Sequence, residues 1–387
     1  MLAKRVQYFT ESVIREMTRL ANQHGAINLG QGMPDFDTPA EVKDAACKAI
    51  QDGFNQYAIT WGAPVLRQAI AKKAREFNGL DCDADKHVTV CCGATECMMA
   101  TMLALIDQGD EVIVFQPFYE NYGPDALLTG ATPVWVPLHP PAWRFDPDEL
   151  RRTFTPRTKA IIVNTPNNPT GRVFTRAELT LIAELCQEHN VLAFSDEIYE
   201  YIRYTDEPHV SIASLPGMAA RTVTISGLSK TFSMTGWRLG YCIAPPAISA
   251  GIRKAHDFLT VGAPHPLQIA GAVALALPAT YYEKLRTDYR RRRDLLLPYL
   301  REAGFSFEVP EGAYYIMTDI ADLSDLDDTA FVRRMIQEVG VAAVPGSSFY
   351  MPRERGRTKV RFMWAKRDET LHQAGDRLLK LREKLAR

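Results

Sequence analysis

One lysine stands out in the 387-residue chain because of the small and hydroxylated residues around it. Lys230 lies in the segment SGLSKTFSMTGWRLGY (226–241), and Arg238 follows it eight positions later, just before a glycine. A solvated surface turn is one interpretation. The other is a lysine held ready for covalent chemistry beside an anion site, because small residues let a ligand approach the backbone.

Three further segments place polar groups directly after apolar runs. GATE (93–96) is a small-residue turn that enters a helix, and such a turn offers N–H groups and the positive end of a helix dipole to a phosphate. NTPNNPTG is a turn that carries Asn168, and SDEIYEYI places Asp196 at the end of an apolar run with Tyr199 three residues later. Alone, each has an ordinary explanation, as a turn or an internal salt bridge.

Together, these groups meet the requirements of one cofactor. A phosphate-binding turn, a carboxylate, a phenol, an amide, a lysine and an arginine are what a pyridoxal phosphate site needs. The lysine forms a Schiff base with the aldehyde, and the carboxylate keeps the pyridine nitrogen protonated so that the ring accepts electrons. The phenol and the amide can hydrogen-bond the ring oxygen. We therefore predict one site that contains all six groups.

The elements that must position these groups alternate between strands and helices. Several of the strand candidates are continuously apolar, as in strands covered on both faces. Between them, TRAELTLIAELCQEHN (175–190) begins with a capping-box pattern. We predict an α/β fold with a mostly parallel seven-stranded sheet flanked by helices, with the ligand groups at the carboxyl ends of its strands. The predicted strands are residues 87–92, 111–116, 132–138, 160–165, 191–196, 222–226 and 239–244.

The pattern changes after about residue 280, where a long charged helix precedes a few strands and helices. This favours a smaller α+β domain. We predict an N-terminal arm (1–40) that packs on the small domain, a large domain (41–282) and the small domain (283–387). The run Arg290–Arg293 invites a nucleic-acid interpretation, but consecutive arginines on a helix point in different directions. We therefore expect an ordinary solvated helix face.

Composition limits the partners and the compartment. A net charge of −1, from 45 basic and 46 acidic residues, gives no electrostatic reason to expect nucleic acid or an anionic membrane as partner. The start of the chain lacks the apolar core of a secretory signal, and we expect no membrane span. The seven cysteines lack zinc-ligand spacing, so we predict reduced thiols, no metal and a cytoplasmic protein.

From about residue 25 onward, the chain resembles the class I, fold-type I pyridoxal-phosphate aminotransferases. The lysine segment fits that family closely, and QYAITWG, NPTG, SDEIY and VRFMWA occur in the family's order. The chain looks closest to the kynurenine, glutamine and methionine transaminases and to the bacterial aspartate and aromatic aminotransferases. The resemblance implies a homodimer in which Tyr57 reaches the phosphate of the neighbouring active site.

The resemblance also implies a role for each residue of the site. Lys230 is the Schiff-base lysine and the proton carrier, Asp196 pairs with the pyridine nitrogen, and Arg361 clamps the substrate α-carboxylate. The other cofactor contacts that it implies are Ala94, Thr95, Tyr119, Asn168, Tyr199 and Arg238, and the other substrate contacts are Gly32, Asn168, Met33 and Trp61.

The chain departs from the family at one position near the lysine. Many members have a serine three residues before the lysine, and its hydroxyl donates to the cofactor phosphate. Here that position is Gly227, so Ser226 or Ser229 must supply the hydroxyl.

The substrate side chain is the least constrained part of the prediction. The segment INLGQGMPDFDTP resembles the glutamine, kynurenine and methionine branch, where Met33, Trp61 and Tyr119 would form a soft aromatic pocket. Met33 and Trp61 suit an ordinary core equally well. A bacterial aspartate branch places a lysine where this chain has Thr95, which cannot bind a second carboxylate, although an arginine from elsewhere could. We expect methionine, an aromatic amino acid, kynurenine or glutamine as donor and a 2-oxo acid such as 2-oxoglutarate as acceptor, in a ping-pong reaction.

Other functions use parts of the same pattern. Aspartate aminotransferase and a carbon–sulfur β-lyase of the same fold need nearly the same residues and stay as alternatives. A transcriptional regulator with an aminotransferase-like domain would need a DNA-binding module before it, which we do not expect. A nicotinamide dehydrogenase would need GxGxxG after its first strand, and GATECM is not that motif.

Overall fold

The computed structural model describes residues 12–385 of the chain. The strands in this range are β1 (Ile27–Asn28), β2 (Val88–Cys91), β3 (Glu111–Gln116), β4 (Thr132–Pro137), β5 (Thr158–Asn164), β6 (Leu192–Asp196), β7 (Thr222–Gly227), β8 (Gly240–Ile243), β9 (Tyr315–Asp319), β10 (Val341–Ala342), β11 (Val344–Pro345) and β12 (Lys359–Met363).

The helices connect these strands and cover both faces of the central sheet. None of those between residues 12 and 385 combines the length and the apolar content that a membrane span needs. They are α1 (Val13–His24), α2 (Ala40–Gln51), α3 (Pro64–Lys73), α4 (Ala94–Leu105), α5 (Tyr122–Thr129), α6 (Pro147–Thr153), α7 (Arg176–Glu188), α8 (Pro246–Thr260), α9 (His265–Leu275), α10 (Ala279–Ala303), α11 (Asp328–Arg334), α12 (Asp368–Leu378) and α13 (Leu381–Leu385).

Seven strands form the central sheet, in the order β2-β8-β7-β6-β5-β3-β4. Strands β4, β3, β5, β6 and β7 are parallel, and β8 pairs antiparallel with β7 and with β2. Each predicted strand is present, with its ends within two residues of the predicted ones. The predicted α/β class and the mostly parallel seven-stranded sheet are therefore confirmed.

The sheet is buried on both faces, which explains the continuously apolar strand sequences. In β3, Ile113 and Phe115 pack into the hydrophobic cluster that contains residues of α6 and α7. Their neighbours Val112 and Val114 pack into the cluster that contains residues of α4, α5 and α8. Because successive strand residues point to opposite faces, a strand covered on both sides favours apolar residues at successive positions.

The C-terminal strands form a second, antiparallel sheet in the order β11-β12-β9. Its hydrophobic cluster also takes in Met17 and Ala21 of α1, and β1 pairs in parallel with β10. The N-terminal segment that the structure describes therefore packs on this smaller unit. The three domain boundaries stay predictions, and residues 1–11 and 386–387 of the predicted arm and small domain lie outside the described residues.

The arginine run of α10 differs from the expectation of a solvated face. The Arg292 guanidinium lies 4.0 Å from the centre of the Phe36 ring, and Arg290 donates to the Tyr204 carbonyl oxygen at 2.8 Å. The side chains of Arg292 and Arg293 are only 12% and 13% exposed. That expectation is wrong for these positions, because the run serves to hold α10 against neighbouring segments.

The capping box of α7 is present as predicted. The Thr175 hydroxyl accepts a hydrogen bond from the Glu178 N–H at 3.2 Å, and the Glu178 carboxylate accepts from the Thr175 N–H at 2.7 Å. We expect Thr175→Ala to lower the free energy of unfolding by about 1 kcal/mol, because the Glu178 N–H loses its hydrogen-bond partner. Urea unfolding measures this, with Thr180→Ala at an exposed position of the same helix as the control. Equal losses in both variants would contradict the role of the cap.

Candidate active site

The carboxyl ends of the parallel strands open into a cleft of about 470 Å³, which residues of both sheets line. The structure therefore brings most of the predicted site together. Twelve of the predicted residues line this cleft: Gly32, Met33, Ala94, Thr95, Tyr119, Asn168, Asp196, Tyr199, Ser229, Lys230, Arg238 and Arg361.

One end of the cleft is built to receive an anion. A Cβ atom on Gly93, which has φ of 89°, would collide with the Arg238 guanidinium, so the glycine lets that cation lie across the start of α4. Arg238 itself has φ of 53° and ψ of 54°, a left-handed conformation that is uncommon for residues with side chains. The first N–H groups of α4 and this guanidinium together suit a phosphate.

The structure separates the two serines that the sequence leaves open as phosphate ligands. Ser226 is buried, and its hydroxyl donates to the Glu200 carboxylate at 2.7 Å instead of reaching the cleft. Ser229 lines the cleft beside Arg238. The glycine between them also has a reason, because a Cβ on Gly227 would lie 2.9 Å from the Leu239 carbonyl oxygen. The structure therefore does not support Ser226 as a phosphate ligand, and Ser229 stays the predicted one.

Asp196 is a buried carboxylate at the end of β6. It accepts hydrogen bonds from the Tyr122 hydroxyl at 2.7 Å and from the Ile198 N–H at 3.2 Å. Burial raises the pKa of Asp196 from 3.8 to about 6, and the hydrogen bond from Tyr122 limits that rise. A carboxylate with this much desolvation favours a cationic partner in the cleft.

Lys230 follows β7 and directs its amine into the same cleft. Its Nζ atom donates to the Gly32 carbonyl oxygen at 3.2 Å. Burial lowers the pKa of Lys230, and the positive charges of Arg238 and Arg361 lower it further. Both effects favour the neutral amine, which is the nucleophilic and basic form.

Arg361 also lines the cleft and is 1% exposed. Its guanidinium donates to the Asn168 side-chain oxygen at 2.8 Å and to the Gly30 carbonyl oxygen at 2.7 Å. It also lies 4.2 Å from the centre of the Tyr315 ring. Its Nε atom is buried without a hydrogen-bond partner, and no carboxylate of residues 12–385 forms an ion pair with it. A buried guanidinium with an unused N–H donor and no ion-pair partner is suited to bind the carboxylate of a ligand.

Besides Ser226, two predicted residues lie outside the cleft of this chain. The Trp61 ring lies against the guanidinium of Arg253, at 5.1 Å, and does not join the pocket predicted for it. Tyr57 is 84% exposed and lines a separate surface pocket beside Cys92 and His265. The place of Trp61 in the side-chain pocket is therefore not supported, and the role of Tyr57 in a neighbouring site stays a prediction.

Sequence reasoning missed several groups that complete the site. Tyr122 carries the hydrogen bond to Asp196, and Tyr315 places its hydroxyl 3.4 Å from that of Tyr199. Asn164 accepts from the Asn168 N–H at 2.8 Å and so holds the turn that carries that amide. The available signals were weak, because a second tyrosine in FYENY or AYYIM is an ordinary core residue in most chains.

The donor set fits pyridoxal phosphate. An amine with lowered pKa, a buried carboxylate and an anion cradle at a helix start are the three groups that this cofactor requires of a protein, and they share one cleft. The cleft and the sheet together define a fold-type I pyridoxal-phosphate enzyme.

Comparisons with known proteins agree with this class. Residues 24–378 match the family model "Aminotransferase class I and II". The chain is 40% identical to the probable N-succinyldiaminopimelate aminotransferase DapC of Mycobacterium tuberculosis over the whole of both chains. It is 39% identical to the methionine aminotransferase of Escherichia coli and 36% identical to the human kynurenine–oxoglutarate transaminase 1, with 96% of each chain covered in both cases.

The solved structures point the same way. The structure of the Mycobacterium tuberculosis N-succinyldiaminopimelate aminotransferase superimposes with a TM-score of 0.95 at 40% identity and covers 98% of this chain and 100% of its own. The chain belongs to the class I and II aminotransferase family, and it is a transaminase that uses pyridoxal 5'-phosphate.

The raised pKa of Asp196 has a measurable consequence for the cofactor-free protein. The folded carboxyl has a pKa of about 6 and the unfolded one about 3.9, so folding binds a proton between these values and stability falls as the pH rises through them. Relative to the wild type, Asp196→Asn should gain up to about 3 kcal/mol of unfolding free energy between pH 4 and pH 7. Urea unfolding of both proteins across this range measures the difference in unfolding free energy. A difference that does not change with pH would contradict a raised pKa of Asp196.

Proposed function

We propose that this aminotransferase moves the amino group of methionine, an aromatic amino acid, kynurenine or glutamine to a 2-oxo acid such as 2-oxoglutarate. The observation that carries the proposal is the buried Arg361 guanidinium, which faces the Lys230 cleft without an ion-pair partner among residues 12–385. Its geometry suits the α-carboxylate that amino acids and 2-oxo acids share. Both half-reactions of a ping-pong cycle therefore use the same anchor.

The cofactor would be held from three sides. When bound, pyridoxal phosphate supplies an aldehyde that condenses with amines and a ring that withdraws electrons from the substrate α-carbon. We propose that Lys230 holds the aldehyde end, Asp196 the ring nitrogen, and Arg238 with Ser229 the phosphate. The remaining contacts that we propose are Tyr119 against the ring face, Tyr199 and Asn168 at the ring oxygen, and Ala94 and Thr95 at the phosphate.

In this proposal Lys230 moves the proton of the substrate α-carbon. Its lowered pKa leaves more of the Nζ amine neutral near pH 7 than an ordinary lysine would, and a neutral amine is a competent base. Arg361, helped by Asn168 and the backbone near Gly32, holds the substrate carboxylate. Fixing one end of the substrate keeps its α-proton near the base. The entropy cost of bringing the two groups together is then met by binding and not by the chemical step.

The preference for neutral or aromatic donors rests on the walls of the cleft. Met33 and Tyr119 line it, and a flexible thioether beside an aromatic ring accommodates varied side chains. Trp61 is not part of this proposed pocket because its ring packs against Arg253 outside the cleft. The names of the relatives refer to methionine, kynurenine and N-succinyldiaminopimelate, which supports a donor that is larger than aspartate.

We also propose a cytoplasmic homodimer. Tyr57 and Phe258 are 84% and 92% exposed, and exposed rings of this size are typical of surfaces that a partner covers. In this dimer Tyr57 would reach the phosphate of the neighbouring site. The seven cysteines are all unpaired, which supports a reducing compartment.

Replacement of the reactive amine gives a direct test of the proposed chemistry. We expect Lys230→Ala to lose transamination by at least four orders of magnitude, because the variant lacks both the amine that holds the aldehyde and the base. Steady-state assays with methionine and 2-oxoglutarate measure the loss. Lys254→Ala, at an exposed position of α8, is the matched control and should keep wild-type rates. A Lys230→Ala variant within tenfold of the wild type would refute the role of this lysine.

The donor is identified by a screen of single half-reactions. The purified holoenzyme is mixed with one amino acid at a time, and conversion of the cofactor from its aldehyde form to its amine form is followed by absorbance. We expect fast conversion with methionine, kynurenine, an aromatic amino acid or glutamine, and slow conversion with aspartate. The screen includes N-succinyldiaminopimelate because of the relatives. Fastest conversion with aspartate would contradict the proposal, and release of pyruvate and thiol from cystathionine without an oxo acid would favour the β-lyase.

A further inference from the structure

The cleft contains one cation for which neither the cofactor nor the α-carboxylate gives a role. Its cationic residues are Arg15, Lys230, Arg238 and Arg361, and the last three have roles in the proposed function. Arg15 belongs to α1 and therefore comes from the N-terminal segment, far in sequence from the lysine motif. The inference below rests on the proposed function and extends it to the substrate side chain.

Helix α1 presents Arg15 to the cleft because its other face is anchored. Met17 and Ala21 are buried in the hydrophobic cluster of the smaller unit. Ile14 also lines the cleft, and Thr18, one turn after it, donates to the Gln31 side-chain oxygen at 3.2 Å. The face with Ile14, Arg15 and Thr18 is thus held over the segment that also carries Gly32.

The first turn of α1 is tied to the opposite wall as well. The Ser12 hydroxyl donates to the Glu120 carboxylate at 2.6 Å, and Glu120 follows the predicted ring-stacking Tyr119. The helix start is therefore joined to the cleft-lining segment that carries Tyr119 and Glu120. Arg15 is exposed there, and no carboxylate of the described residues forms an ion pair with it. Among residues 12–385, the Arg15 side chain therefore has no carboxylate partner that a ligand would have to displace.

The charges in the cleft define which ligand this cation suits. Its acidic residues are Glu120, Asp125 and Asp196. Asp196 belongs to the cofactor, Glu120 is held by Ser12, and burial raises the pKa of Asp125 to about 7, so that it carries little charge in mildly acidic solution. A monocarboxylate substrate uses only Arg361. A dicarboxylate brings a second negative charge into the cleft, where Arg15 is the unassigned cation.

We propose that Arg15 binds the terminal carboxylate of five-carbon dicarboxylic substrates, so that the enzyme accepts 2-oxoglutarate and glutamate through Arg361 and Arg15 together. Neutral donors such as methionine occupy the same cleft without using Arg15. This assigns to an arginine of the N-terminal helix the second-carboxylate role that Thr95 cannot fill.

Binding of unreactive acids to the pyridoxal-phosphate form of the enzyme tests the proposal without turnover. Glutarate and pentanoate have the same carbon count and differ in the second carboxylate. Titration calorimetry should show that the wild type binds glutarate 10- to 100-fold more tightly than pentanoate, about 1.4 to 2.8 kcal/mol. Arg15→Gln should remove most of that difference by weakening glutarate alone, and Arg15→Lys should restore part of it. Arg19→Gln, one turn further along α1, is the matched control and should keep the difference.

Three results would overturn the assignment. They are equal affinities of the wild type for the two acids, a difference that survives in Arg15→Gln, and an equal loss for both acids in that variant, which would indicate a displaced helix. Kinetics give the second readout: kcat/KM for 2-oxoglutarate should fall 10- to 100-fold in Arg15→Gln, mainly through KM, and that for 2-oxohexanoate should stay within twofold.

The binding and kinetic experiments separate this inference from the proposed function. If no amino acid converts the cofactor but glutarate binding still depends on Arg15, the proposed function fails and the assignment of Arg15 stands. If the donors react as proposed and glutarate gains nothing from Arg15, the assignment fails alone.

Discussion

Desolvated charge is the constraint on which the site depends. Asp196 and Arg361 are both buried, and neither has an ion-pair partner among residues 12–385. Burial of an unpaired charge is unfavourable by several kcal/mol unless hydrogen bonds or a ligand compensate. Here hydrogen bonds from Tyr122 to the carboxylate and from the guanidinium to Asn168 and Gly30 stabilise the two groups in part. A cationic ring nitrogen beside Asp196 and a substrate carboxylate beside Arg361 would supply the missing ion-pair partners.

The fold supplies these charges from two separate sheets. Asp196 ends β6 of the seven-stranded sheet, whereas Arg361 extends from β12 of the small sheet. Hydrogen bonds and an ion pair to Glu197 and Glu200 also hold the turn after β6 in place. The Glu197 carboxylate accepts from the Ser195 and Ser211 hydroxyls at 2.8 and 2.7 Å, and Glu200 pairs with the buried Lys73 at 2.5 Å. This network holds Glu197 and Glu200, which directly follow Asp196 and Tyr199 in the chain. Asp196 and Tyr199 therefore line the cleft with little freedom to turn away.

Much of this arrangement is predictable from the sequence, for a physical reason. Strands buried on both faces favour continuous apolar runs, and several of the seven strands show such runs in the sequence. A polar group directly after such a strand lies at the ligand-binding edge of the sheet. That reasoning found Asp196, Asn168 and Lys230. It could not find Tyr122, whose bond to Asp196 depends on how α5 packs. Nor could it separate Ser226 from Ser229, because the direction of a side chain at a strand end depends on neighbours such as Glu200.

Long-range packing accounts for the other differences. Trp61 looked like a pocket residue in sequence but lies against Arg253, and Arg15 carried no signal at all because only the packing of α1 brings it to the cleft. Contacts between segments hundreds of residues apart leave no local pattern, since neither segment's periodicity depends on the other.

The central claim is that the Lys230 amine is bonded to the cofactor aldehyde in the resting enzyme. Borohydride reduction of the holoenzyme, followed by proteolysis and mass spectrometry, tests it most directly. We expect one reduced phosphopyridoxyl group per chain, on the peptide that contains Lys230. An unmodified peptide at that position, or the group on another lysine, would contradict the account.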